Sequence, residues 1–367
     1  MNWLKRLLVC LCLWAGPASA GCEGPPSFQF DQRIPDGERA KLRRWLGEAA
    51  QTVAELAGQH PVRCARIRVY DGGRGRGAVP WAQIDRGAAE GIRFYVDYRL
   101  PLHSLRSDWT AMHEFSHLLI PFPGNDQPWF SEGLASYLQY LLMARAGILS
   151  SDEAMKRLDR GFRRGVEDDD HGAIALEELS RDMWRRHAYR RVYWSGAAYF
   201  LAVDTELRRS GKGSLTQVLA QFVACCRQQS RHWTVDSLVQ VFDRLSGTTL
   251  FADTKAALMP RTGFPDLSRP YEYLGLVQTG HGVRLKAGSP WRERRQRLVA
   301  DVAIGRRRIS TAGTKKGSCA PLASLFPWGL TEVGHLFVQV IGQLLQLDGT
   351  VGGLRRGVAG HAIKIAD

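Results

Sequence analysis

An α+β fold is predicted for this chain, with a small N-terminal unit of mixed helix and sheet ahead of a mainly helical half. Three observations predict it. Residues 65–70 and 91–97 alternate in β-branched and aromatic-rich runs, residues 36–58 repeat apolar side chains at helical spacing, and from Asp108 onward the dominant period is helical. At 367 residues, 44% hydrophobic and 23% charged, the chain can bury a full core and has globular composition, which excludes disordered and fibrous classes.

The elements follow in order. Residues 1–20 combine Lys5-Arg6, an apolar run from Leu7 to Trp14 and the small-residue exit Ala18-Ser19-Ala20, the layout of a secretory signal peptide cleaved after Ala20. An exported protein, periplasmic or secreted, is expected. Gly21-Cys22 is an alternative lipid-anchoring site, although Ser19 stands where a leucine-like residue is preferred. Residues 21–107 form the mixed unit: a helix over 36–58 with Leu42, Leu46, Ala49, Val53 and Leu56 on one face, then strands at 65–70 and 91–97 around a Gly-Arg loop at Gly72 to Gly77.

Residues 108–260 are the helical part, with helices expected over Trp109–Leu119, Ser131–Ala146, Arg191–Leu207 and Leu215–Cys226. A Pro/Gly/Asn loop from Pro121 to Pro128 separates the first two, and the charged Glu167–Asp170 reads as a linker. Residues 261–301 extend the domain, and 302–367 form a basic, Gly-rich tail without clear periodicity.

Cys22, Cys64, Cys225, Cys226 and Cys319 remain after the leader, in a compartment that permits disulfides. Cys22 with Cys64 is the first pair to test, whereas Cys225-Cys226 read as buried thiols on an apolar helix. The formal charge of +14 favours anionic surfaces. For an exported protein that means peripheral contact with an anionic envelope surface rather than a specific nucleic acid. Arg284, Lys286, Arg292, Arg294, Arg295, Arg297 and Arg306–Arg308 concentrate the excess late in the chain, where a solvated face is expected.

The chemistry concentrates at His113-Glu114-Phe115-Ser116-His117. On a helix, positions four apart share a face, so both imidazoles can address one ion while Glu114 points toward its open side. Fifteen residues after His117, across a loop long enough to reverse the chain, Glu132 opens the next helix. An antiparallel helix pair would return it to the histidines as a third ligand, leaving a position for water. Its other reading is an acid complementing a helix start.

His113-Glu-Phe-Ser-His117 followed by Trp129-Phe-Ser-Glu132-Gly-Leu-Ala-Ser-Tyr137 resembles the HExxH plus W-[FL]-x-E-G-[FL]-[AT]-[ST]-Y signature of gluzincin zinc metallopeptidases, in particular the alanyl- and glycyl-aminopeptidase groups. Tyr193-Trp-Ser-Gly196 is similar to the Y-x-[KR]-G segment of those families, whose tyrosine hydrogen-bonds the tetrahedral intermediate. The resemblance spans roughly residues 45–260. It implies a thermolysin-like helical half, one zinc per chain on His113, His117 and Glu132, a zinc-bound water activated by Glu114, and oxyanion stabilisation by Tyr193, with Tyr189 as the fallback. Read from its spacing alone, Tyr193 is also compatible with a core aromatic.

Three departures stand out. Ser195 replaces the basic residue of the tyrosine segment, the span from His117 to Glu132 is shorter than in typical aminopeptidases, and no G-x-M-E-N strand precedes the HExxH. The nearest substitute, Gly75–Trp81, offers an edge strand without the glutamate that grips a substrate's free amine. The expected function is hydrolysis of peptide or protein substrates, with exo- and endo-cleavage both open. The rival readings are a catalytically silent gluzincin-fold binding or scaffold protein of the envelope, and an anionic-polymer binder acting through the basic late region.

Overall fold

The structure, a computed structural model, describes residues 24–86 and 90–300. Its first part runs β1 (Ser27–Phe30), α1 (Asp36–Ala57), β2 (Arg66–Asp71), β3 (Trp81–Asp85) and β4 (Gly91–Val96). The strands form one sheet in the order β1-β2-β4-β3, parallel except that β3 runs antiparallel to β4. Ile67 and Val69 of β2 stand in register with Ile92 and Phe94 of β4, all four buried, as the alternating pattern requires. Phe94 contacts Trp45 of α1 at 6.2 Å between ring centroids and Phe115 at 6.0 Å. One side chain thereby ties the sheet to the first helix and to the HExxH segment.

The rest is mainly helical, which makes the molecule α+β. It comprises α2 (Leu102–Ser107), α3 (Thr110–Ser116), a 3-10 turn at His117–Leu119, α4 (Pro128–Arg145), α5 (Ser151–Val166), α6 (Leu176–Arg181), α7 (Met183–Arg186), α8 (Tyr189–Arg209), α9 (Leu215–Cys225), α10 (Val235–Ser246), α11 (Leu250–Leu258) and α12 (Ser268–Leu274). A hairpin of β5 (Leu276–Thr279) and β6 (Gly282–Leu285) and a last helix α13 (Trp291–Ala300) complete the described residues. None of the described helices is long and apolar enough to cross a membrane.

Local chemistry explains where expectation and structure differ. The second long helix begins at Pro128, three residues earlier than its apolar period suggested, because proline fits the first turn, where its missing N–H has no partner to lose. The edge strand starts only at Trp81, since Gly73, Gly75 and Gly77 all adopt positive φ and keep that stretch in turns. Cys225 and Cys226 are not free thiols but are bonded to each other where α9 ends. Cys64 is disulfide-bonded as well, while Cys22 lies outside the described residues.

The late basic region is not uniformly a solvated face. Arg295 is buried, with Nε donating to Asp152 Oδ1 at 2.8 Å and its terminal nitrogens to the carbonyls of Leu274 and Lys286. That arginine fastens α13 to α5 and the hairpin. Residues 1–20, expected to form a leader, together with Cys319, Arg306–Arg308 and the tail 302–367, lie outside the described residues.

Candidate metal centre

His113 sits inside α3 and His117 opens the 3-10 turn that continues it, so one helical turn stacks both rings toward the same point. Their Nε2 atoms are 3.2 Å apart. Glu132, in the first turns of α4, brings Oε2 to 3.2 Å from His113 Nε2 and 3.4 Å from His117 Nε2. Zinc bound tetrahedrally at about 2.0–2.1 Å has neighbouring donor atoms about 3.3 Å apart. The three separations are therefore the edges of such a tetrahedron, with a vertex left over. Two imidazoles and one carboxylate are also the donor types that zinc takes, and the group is compatible with a single zinc ion.

Gln139 adds a second layer of control. It is buried two turns beyond Glu132 on α4, and its Oε1 lies 2.9 Å from His113 Nδ1. Accepting a hydrogen bond from the Nδ1–H there fixes the tautomer that leaves Nε2 free for a metal. The sequence held one signal for this role: a polar residue seven positions after Glu132, on the same face of an otherwise apolar helix.

Burial and mutual charge govern the acids. Burial by itself would raise the Glu132 carboxyl, but His117 and His113 outweigh it and hold Glu132 far below the usual carboxylate range. For Glu114, burial pushes the carboxyl up to about 7, with Glu132 adding to the rise and His113 and Arg86 opposing it. Its Oε2 is buried without a hydrogen-bond partner among the described residues. Burial depresses His117, whereas in His113 it is overcome by the Glu132 carboxylate, which raises the ring.

A helix crossing sets Tyr193 against this group. A Cβ on Gly196 would stand 1.8 Å from the Trp129 carbonyl oxygen, and one on Gly133 would stand 2.5 Å from the Gly196 backbone. Only glycines let α4 and α8 approach so closely. Gly133 directly follows Glu132, and Gly196 lies three residues after Tyr193, so the crossing registers the two functional side chains. The Tyr193 phenol is buried, and its pKa is raised well above the ordinary value by burial and by the Glu132 and Glu114 charges. Tyr189 instead directs its hydroxyl to His187 Nδ1, 3.3 Å away. Ser195 is fully buried and accepts from Arg191 Nη1 at 2.8 Å, so the charge absent from its own position comes from one turn earlier.

On the sheet side, Arg86 directly follows the edge strand β3. Its Nη1 donates to Glu90 Oε1 at 2.6 Å and its guanidinium lies 5.2 Å from the Phe122 ring centroid, in the loop between the two metal-facing helices. Arg227, at the end of α9, donates to Glu90 Oε2 at 2.5 Å and to the Leu118 carbonyl at 2.7 Å. Neither arginine stood out in the sequence, since a lone basic residue in a loop carries no spacing signal.

Residues 123–199, which begin after His117 and include Glu132 and Tyr193, match the family model described as M61 glycyl aminopeptidase. No curated protein sequence matches the chain. Among solved structures, an aminopeptidase N family protein from Idiomarina loihiensis is similar at 17% identity and a TM-score of 0.52, over 68% of this chain and 47% of that one. An M1 zinc metallopeptidase from Deinococcus radiodurans bound to a Tyr-Ser-Ala substrate is 16% identical at a TM-score of 0.44, over 69% of this chain and 52% of that one. The chain thus spans about half the length of these structures. Motif, family model and fold agree on one likeness: the chain is similar to gluzincin aminopeptidases.

Proposed function

We propose that this chain is an exported zinc-dependent peptidase in which His113, His117 and Glu132 hold the metal, Glu114 is the general base and acid, and Tyr193 stabilises the oxyanion. The observation that carries the reading is the triangle of donor atoms at 3.2, 3.2 and 3.4 Å beside a buried carboxylate, Glu114, with an unpartnered oxygen. A zinc ion bound there supplies Lewis acidity, which makes an attacking water more acidic and a scissile carbonyl more electrophilic. Glu114 takes the water's proton as the new C–O bond forms and returns it to the departing amine. Tyr193 donates its phenolic hydrogen to the carbonyl oxygen as negative charge gathers there, a bond made more fully in the transition state than in the ground state. Burial, with the Glu132 and Glu114 charges, keeps that phenol protonated, as a donor must be.

The deciding experiment measures zinc content and peptide cleavage together. Glu114→Gln is expected to bind zinc like the parent and to lose about two to four orders of magnitude in turnover. Equal cleavage by parent and variant would end the mechanism. A parent that binds zinc and cleaves nothing in a mixed peptide library would establish the silent scaffold in its place.

A further inference from the structure

We propose that Arg86 is a specificity-determining residue that binds a carboxylate of the peptide substrate, either an acidic side chain or the terminal carboxylate, at the strand side of the metal centre. This rests on the peptidase reading of the site.

The argument begins with the edge strand. β3 is the outermost strand of its sheet, and an extended peptide can add to such an edge through main-chain hydrogen bonds, which leaves side-chain preference to the groups at the strand's ends. Aminopeptidase-type recognition of a free amine would need a carboxylate there. Between residues 81 and 90 the sequence offers two, Asp85 and Glu90, and both are already spent. Asp85 joins Arg68 at 2.5 Å and Arg93 at 2.7 Å, and Glu90 joins Arg86 at 2.6 Å and Arg227 at 2.5 Å. Each acid is shared by two guanidiniums, so each cluster keeps one net positive charge.

The second cluster borders the metal centre. Arg86 acts electrostatically on Glu114, His117 and Glu132, and Arg227 is bonded to the carbonyl of Leu118, the residue after His117. Arg86 is also the member of that cluster best placed for a ligand. Its side chain is 23% exposed against 6% for Arg227, and of its five N–H donors one is engaged by a described residue. The guanidinium is held in advance, by Glu90 at one edge and by the half-exposed Phe122 ring at 5.2 Å. A planar fork fixed in this way suits a carboxylate and repels an ammonium.

The test uses the full-length, zinc-loaded protein and one peptide sequence, with free and with blocked amino terminus, prepared with Glu, Gln or Lys at each position flanking the scissile bond. The same peptide ending in a carboxylate or an amide forms the second arm. We expect one position to favour Glu over Gln, or the free carboxylate over the amide, by about ten- to a hundredfold in kcat/KM. The arm that responds identifies which carboxylate is bound. Arg86→Gln should collapse that ratio, Arg86→Glu should turn it toward Lys, and Arg86→Lys should keep its direction at reduced size. Should the Gln variant fold poorly by circular dichroism, the Lys variant and the parent's own ratio still decide.

Cleavage by the parent without any preference for a carboxylate, or a preference undiminished in Arg86→Gln, would overturn this assignment and leave the peptidase reading intact. Failure of the zinc-loaded parent to cleave any peptide in either arm would remove both.

Discussion

The α4–α8 crossing and the β3 edge both adjoin the elements that carry the candidate metal group, and they are built by opposite means. The crossing is apolar and close: Gly133 lies on Gly196, and Trp129, Phe130, Tyr199 and Phe200 pack around it with ring centroids 4.9 to 6.1 Å apart. The edge is held by carboxylates, each shared between two arginines. Close packing tolerates little displacement, because interiors are as dense as organic crystals, whereas ion pairs near a surface are exchangeable. The difference teaches a division of labour: the groups proposed to hold the metal and the oxyanion, Glu132 and Tyr193, sit on the crossing, and the charge proposed to sort substrates sits at the strand end.

That contrast can be broken by substitution. The largest effect is expected from Glu132→Ala, which should take bound zinc from one per chain to near zero and remove hydrolysis with it. Plasma emission on dialysed protein reads the stoichiometry, and a full complement of zinc would show the third ligand to be misassigned. Gly196→Leu comes next. Its side chain has no room beside the Trp129 carbonyl, so denaturant unfolding should show a loss of about 3 kcal/mol or more, unless the protein fails to fold altogether. Unchanged stability would mean that the helices can separate, and the close-packing half of the contrast would go.

Tyr193→Phe should lower turnover by about a hundredfold or more while zinc content holds, and should do so equally for acidic, neutral and basic peptides. A fall in zinc content would instead make the phenol part of the metal's support. Gln139→Leu is expected to weaken zinc affinity about ten- to a hundredfold, read by competition with a chelating dye, since His113 would lose the partner that fixes its tautomer. Asp85→Asn should do least, costing about 1 kcal/mol of stability at low salt and little in high salt, with zinc content unaltered. A large loss of bound metal in that variant would show the two sides to be coupled.

Much of the helical side was legible in the sequence because its signals are periodic. His113 and His117 share a face by their spacing, the loop at Pro121 to Pro128 turns the chain, and Trp129, Phe130 and Leu134 mark the buried turn that carries Glu132. The close approach at Gly133 and Gly196 was not read from it, because two glycines inside separate helical runs do not say that they meet. The strand side was not legible. Trp81–Asp85 is too short and too mixed to read as a strand, and its identity comes from pairing with β4. Arg86, Glu90 and Arg227 are up to 137 positions apart in pairing, so no local pattern could join them. The bond between Cys225 and Cys226 escaped for another reason: adjacent cysteines on an apolar helix look the same whether oxidised or reduced.

The Gly133–Gly196 contact also bears on thermal motion. Where side chains space two helices, each rotamer hop changes the gap, and whatever the helices carry drifts with it. Here main chain rests on main chain one residue after Glu132 and three after Tyr193. The separation of phenol from carboxylate therefore inherits the stiffness of hydrogen-bonded peptide backbone, and warming the protein should loosen its surface well before it alters that separation.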